Sequence, residues 1–271
     1  PRLVQAVART LQEITADGYV FRVDLRLRPD PGATPVVIST EAALNYYESL
    51  GQTWERAAWI KARACAGDFA AAEAFLRHMQ PFIWRRSLDF AAVDDIRGLA
   101  RQIQTVGRRA EVRPAGHDLK LGRGGIREIE FYAQIPQLVF GGRNEALRLP
   151  ATLDALRALC GADVVEAGVV DALTADYRRL RAWEHRVQMR QDEASQTLPE
   201  GDEDRAAIAA MAGYDDLPAF DSAVEACLRR VHGHFSDQFE DDEPLASEAG
   251  SLILTGVEPT PDTLATLERL G

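Results

Sequence analysis

Cysteine is scarce, with Cys65, Cys160 and Cys227 the only three in 271 residues. They stand far apart and form no Cys-x-x-Cys or Cys/His ligand spacing. That excludes a disulfide framework and a zinc site as sequence signatures, and makes reduced thiols in a cytoplasmic protein the expectation. No run of about 18 apolar residues occurs, and Pro1 to Gln5 open no apolar leader core. Neither a membrane partner nor secretion is therefore expected. The first residue is proline rather than methionine, which suggests a segment of a longer protein. Lysine is nearly absent too: Lys61 and Lys120 are the only two among 31 basic residues, a compositional bias toward arginine. There is no Gly-Lys-Ser/Thr phosphate loop and no Gly-x-Gly-x-x-Gly fingerprint. With 46% hydrophobic and 27% charged residues, disorder, collagen and coiled coil are excluded as descriptions of the whole chain. The length suits one large core or two smaller ones.

What is present is unevenly charged. Residues 1–130 carry 19 Lys+Arg against 16 Asp+Glu, a net +3, and residues 131–271 carry 12 against 26, a net −14. The front half is the place to look for an anionic ligand, and the back half would repel one. No basic stripe with interleaved aromatics appears, so no nucleic-acid partner is expected.

The patterning reads as α+β and predominantly helical. A helix over 2–16 ends at the turn pair Asp17-Gly18. In Tyr19 to Arg28, Tyr19, Phe21, Val23, Leu25 and Leu27 alternate with polar positions that include Arg22, Asp24, Arg26 and Arg28, the period of a strand. Pro31-Gly32 supplies a turn, Val36-Val37-Ile38 an antiparallel partner, and a short strand is expected near His117–Leu121. Helices follow from Ser39 or Thr40 to Leu50, over 54–64, 69–86 and 90–109, and from Ile126, where Pro136 should kink the helix. Helices near 150–160, 169–194, 203–212 and 217–240 have short polar connections and suggest an antiparallel bundle. An acidic linker around 240–244 leads to a last helix near 261–270.

Four places could carry chemistry. Asp24 between Arg22, Arg26 and Arg28 suits a hard metal ion beside phosphate oxygens, and equally an exposed strand face laced with Arg–Asp pairs. Gly122-Arg123-Gly124-Gly125, flanked by Lys120 and Arg127, lets backbone N–H groups approach an anion at a helix start. The same residues also make a plain tight turn whose Glu128 and Glu130 serve the helix dipole. In Gly51 to Arg63, Trp54 and Trp59 read as core, while Arg56 and Arg63, a heptad apart, could reach a phosphate. His232-Gly233-His234 lacks further metal ligands and reads as solvated surface.

Taken in order, Phe21-Arg22-Val23-Asp24-Leu25-Arg26-Leu27-Arg28-Pro29, Gly51-Gln52-Thr53-Trp54-Glu55-Arg56, Lys61-Ala62-Arg63, Arg85 to Phe90, and Lys120 to Phe131 resemble the bacterial glutamine synthetase adenylyltransferase/adenylyl-removing enzymes. The likeness covers about residues 1–243. The blocks Arg85 to Phe90 and Lys120 to Phe131, with Gln196-Thr197-Leu198-Pro199, look more like the N-terminal, adenylyl-removing half. That resemblance implies the C-terminal part of a polymerase-β-type nucleotidyltransferase domain, with short antiparallel strands, followed by a helical bundle. It implies an incomplete catalytic domain over 1–130, a bundle over 131–243, and a linker with the start of another domain over 244–271.

In the family, metals are held by a Gly-Ser…Asp-x-Asp block and a third carboxylate, which Asp24 matches. No such block precedes Asp24 here, so it is expected upstream of Pro1, and the 271 residues alone are expected to be nearly inactive. The implied cofactor is Mg2+ in a two-metal site, with Asp24 as catalytic carboxylate and metal ligand. Arg22, Arg26, Arg28, Lys120, Gly124 and Gly125 are the implied phosphate or nucleotide contacts. The implied partners are adenylylated glutamine synthetase, the PII signal protein, orthophosphate, ADP and ATP. The competing readings are the adenylylating half, which uses ATP, and a non-catalytic docking module for glutamine synthetase or PII.

Overall fold

The computed structural model of the chain describes residues 1–30, 32–86, 98, 112–191 and 195–239. It is predominantly helical. The first helix, α1 (Arg2–Gln12), leads into an irregular segment. Next come α2 (Thr40–Ser49), α3 (Thr53–Trp59) and α4 (Phe69–Ile83). After the loop at 112–125, α5 (Ile126–Phe140) is followed by a single 3-10 turn at Glu145–Leu147. The chain then runs through α6 (Thr152–Gly161), α7 (Ala167–Gln191), α8 (Asp202–Met211) and α9 (Leu217–Phe239). The helices expected over 90–109 and 261–270 lie outside the described residues.

Local chemistry explains most boundaries. The Ser39 hydroxyl accepts from the Ala42 N–H at 3.1 Å and opens α2, and the Asp68 carboxylate accepts from the Ala71 N–H at 3.0 Å and opens α4. Glu55 closes a capping box with Gln52 at the start of α3. Gly125 stands immediately before α5, and that helix continues through Pro136 to Phe140.

The strands are the main departure from expectation. Among the described residues, Tyr19 to Arg28 and Val36 to Ile38 form no ladder, and only two isolated bridges occur, Thr15 with Gly18 and Asp118 with Thr197. Alternation alone cannot make a strand, because each strand needs a neighbour for its N–H and C=O groups. Here the N–H groups of Val20 and Phe21 both donate to the Leu11 carbonyl at the end of α1. The Arg26 N–H goes to the Asp24 carboxylate. Near His117 the expected strand reduces to one bridge, in which the Leu119 N–H donates to Gln196 and the Leu198 N–H to His117.

Contacts divide the chain into two compact units, 1–235 and 236–271. Of the second, only the final residues of α9 are described. Within the first, α2 and α3 pack on α4, α3 on α5, α5 on α6 and α7, and α7 on α8. The core is apolar and continuous along these contacts: Ile129 and Leu138 of α5, Leu156 of α6, Leu173 and Leu180 of α7, and Phe220 and Leu228 of α9 have no exposed surface. Burying each such side chain contributes about 1.5–3 kcal/mol.

Candidate functional site

Asp24 sits on the irregular segment that follows α1. Its side chain is 55% exposed and is clasped by Arg26, whose Nε lies 3.0 Å from both carboxylate oxygens and whose Nη2 lies 2.6 Å from Oδ2. The Arg26 side-chain and backbone hydrogen bonds pull the Asp24 carboxyl down to about 2. It is therefore ionised throughout the neutral range. Arg22 and Arg26 line the same open hollow as Asp24, floored by Ala8 and Gln12 of α1. Arg28 turns away from that hollow: its guanidinium donates to the carbonyls of Leu25 and, at 3.5 Å, Thr34. Of the four residues expected on one face, three share a surface and one does not.

A second hollow lies where this segment meets α2 and α3. It is a cavity of about 230 Å3 walled by Leu27, Tyr47, Trp54, Ala58 and Trp59, with Arg28, Glu55 and Lys61 among its polar contributors. This corrects two expectations. Trp54 is not core, being 47% exposed; Trp59 does pack, with its ring 5.3 Å from Tyr47 and 5.7 Å from Phe75. Arg56 cannot reach a phosphate, because it has no exposed surface. Its Nε donates to Phe82 and Ile83 at 3.1 and 3.3 Å, and its Nη2 to Ile83 at 3.1 Å. It closes the carbonyl end of α4, while Arg63 remains exposed.

Lys120, Gly124 and Gly125 line neither hollow. They belong to the loop before α5, whose N–H groups are mostly taken up internally: Gly122 donates to Asp118, Gly125 to Gly122, Ile126 to Leu119 and Arg127 to Lys120. The Asp118 carboxylate also accepts from the Lys120 and Leu121 N–H groups. Gly124 has φ +75°, and a Cβ there would stand 2.0 Å from the Leu228 carbonyl oxygen. Only glycine allows both that conformation and that approach to α9. The geometry is that of a tight turn.

The two carboxylates that open α5 have partners no sequence pattern announced. Glu128 is 3% exposed and faces the His232 Nδ1 at 3.2 Å. His232, itself only 16% exposed, is thus half of a buried pair rather than solvated surface. Glu130 accepts from Lys61 Nζ at 2.8 Å and Arg181 Nη2 at 3.1 Å. Lys61 also reaches the Thr152 hydroxyl at 3.3 Å. Arg181 continues to Glu184 at 2.8 Å and to the Tyr177 hydroxyl. Glu130 therefore links a residue of the aromatic cavity to the bundle. These partners lie 51 to 104 residues apart in sequence, beyond any local signal; the i, i+3 spacing of Arg181 and Glu184 was the one visible clue.

Two family models match the chain. One, described as glutamate-ammonia ligase adenylyltransferase, matches residues 1–78, and the other, described as GlnD PII-uridylyltransferase, matches residues 97–239. Both descriptions are of enzymes that transfer a nucleotidyl group. A bifunctional glutamine synthetase adenylyltransferase/adenylyl-removing enzyme of Caulobacter vibrioides is 53% identical over 270 residues, covering all of this chain and 27% of that protein. Those of Agrobacterium fabrum and Rhizobium meliloti are 52% and 48% identical over the same span, with the same coverage. The chain belongs to this family of bifunctional glutamine synthetase adenylyltransferase/adenylyl-removing enzymes. It spans about a quarter of the length of the curated relatives it matches. Among the described residues no helix is long and apolar enough to cross a membrane.

Proposed function

We propose that this chain is part of a nucleotidyltransferase centre that removes AMP from an adenylylated tyrosine of glutamine synthetase by phosphorolysis. An orthophosphate oxygen forms a new bond to the α-phosphorus as the bond to the tyrosine oxygen breaks. The tyrosine oxygen takes up a proton, and ADP leaves. The observation that carries the reading is Asp24, an ionised and accessible carboxylate in a hollow shared with two arginines, in a chain whose length aligns with about a quarter of the length of proteins named as adenylyltransferase/adenylyl-removing enzymes.

Among the described residues no three or more His, Cys, Asp or Glu side chains gather to hold a metal ion. Asp24, as an accessible and ionised carboxylate, fits as one ligand of a Mg2+ site whose remaining carboxylates would come from beyond the described residues. Mg2+ bound there would neutralise phosphoryl oxygens and align the attacking one. Arg26 must release Asp24 for this, and its guanidinium is then available to a phosphate oxygen. Arg22, in the same hollow, is placed to hold the second phosphate. A cytoplasmic setting and control by the PII signal protein complete the proposal.

The test places the chain within a protein of the relatives' full length, incubated with AMP-modified glutamine synthetase, Mg2+ and orthophosphate, beside an Asp24→Asn twin. Phosphate-dependent ADP, reduced at least about 100-fold in the twin, is the expected result. AMP transfer from ATP without ADP release would point to the adenylylating half, and binding without either activity to a docking module.

A further inference from the structure

The aromatic cavity has no assigned role. Its walls are flat and apolar, with Trp54 and Trp59 from α3, Tyr47 from α2 and Leu27 from the segment that carries Asp24. Arg28 and Lys61 add positive charge. At about 230 Å3 it is smaller than the roughly 300–1,000 Å3 of sites that enclose a whole drug-sized ligand. It suits one planar ring system with the rest of the molecule outside. Leu27 lies three residues from Asp24, at most about 11 Å along the chain. The cavity and the Asp24 hollow are thus close enough for one nucleotide to reach both.

We infer that this cavity takes the purine base of the adenylyl group, stacked on the Trp54 ring. Half-exposed Trp54 supplies a π-face, which holds a base without needing its sequence of donors and acceptors. Glu55 supplies the choice of base. Glu55 belongs to the cavity lining and is 4% exposed, and its carboxylate is fixed by the Gln52 N–H at 2.8 Å and the Tyr46 hydroxyl at 3.4 Å. A carboxylate only accepts hydrogen bonds. It matches the exocyclic amine of adenine and opposes the carbonyl oxygen that replaces that amine in hypoxanthine. Lys61 of the cavity lining is itself held by Glu130 at 2.8 Å. This inference deepens the nucleotidyl-transfer reading and rests on it for the choice of an adenylyl group.

The test uses the 271-residue chain without metal or phosphate, titrated calorimetrically with adenosine and with inosine. Saturable adenosine binding is expected, with inosine at least about 10-fold weaker. Trp54→Ala and, separately, Ala58→Trp, which fills the cavity, should each weaken adenosine at least about 10-fold while leaving the thermal midpoint little changed. Asp24→Asn should leave adenosine binding intact. That separates the two proposals, since loss of phosphorolysis in the Asp24 variant speaks only to the catalytic reading. No adenosine binding up to its solubility limit, equal affinity for inosine, or binding indifferent to both cavity variants would each overturn the assignment.

Discussion

Arg56 shows how much one residue's role depends on what the chain folds against it. A guanidinium with no exposed surface is costly unless hydrogen-bonded, and its bonds to the Phe82 and Ile83 carbonyls do that work at the end of α4. Removing it leaves those carbonyls without their donor and a void in the wall between α3 and α4. Arg56→Met should lower the unfolding free energy by about 2–4 kcal/mol, read as a lower urea midpoint with an unchanged slope. A midpoint equal to the parent's would show the contacts to be incidental. Arg63, exposed a heptad later, has the same chemistry and a different fate. Nothing local distinguishes the two, because the accepting carbonyls lie 26 and 27 residues downstream of Arg56. Asp24 was partly legible: Arg–Asp pairing was one of two readings of its alternating segment, and the clasp by Arg26 is such a pair, although on an irregular segment and not on a strand face.

At the scale of elements, what was readable from sequence is what is encoded locally. Ser39 caps α2, Gly125 precedes α5, and the apolar spacing of the bundle helices gave their positions to within a few residues. What was not readable is non-local. The alternating segment Tyr19 to Arg28 has a strand's pattern but no partner among the described residues, and the pairs Glu128–His232 and Glu130–Arg181 join helices far apart in sequence. The clamp between α7 and α9 is of this kind. Asp176 is fully buried and accepts from Arg230 Nε and Nη2, both at 2.7 Å, and from Arg179 at 3.3 Å. Arg230 and Arg179 keep 41% and 45% of their side chains in water, so either can rehydrate, whereas Asp176 cannot. The cost of breaking the pair thus depends on which member is removed. Arg230→Met should destabilise by about 1–3 kcal/mol, because Asp176 keeps only its longer bond to Arg179, and adding Asp176→Leu to it should recover part of the loss, since the under-compensated buried charge is then gone. Chemical denaturation of the single and double variants decides this. A double variant no more stable than Arg230→Met would show that lost packing, and not the under-compensated carboxylate, sets the cost.

Across the whole molecule, the loop at 112–125 is where distant parts of the first unit meet. Gly124 touches the α9 backbone, Asp118 bridges to Thr197, and the His117 carbonyl accepts from the Leu198 N–H. His117 itself is 4% exposed, with Nε2 3.1 Å from the Arg123 carbonyl. Burial lowers its pKa; the bond to Arg123 and the charges of Asp118 and Glu128 oppose that fall without cancelling it. A histidine whose folded-state pKa is depressed stays neutral in the fold while the unfolded chain binds a proton, at about 6.5. The unfolded state then holds more protons, so stability rises with pH through this region. The contribution is present in full above about pH 6.5 and is lost as the pH falls below it. The thermal midpoint of the chain should therefore drop between pH 7.5 and 5.5. His117→Gln, which keeps a donor for the Arg123 carbonyl but cannot titrate, should drop less over the same interval. The net charge of −11 adds self-repulsion that eases as the chain takes up protons at lower pH, an effect of opposite sign that both proteins share. Comparing the two midpoint curves removes it, and parallel curves would show that His117 does not couple this junction to pH.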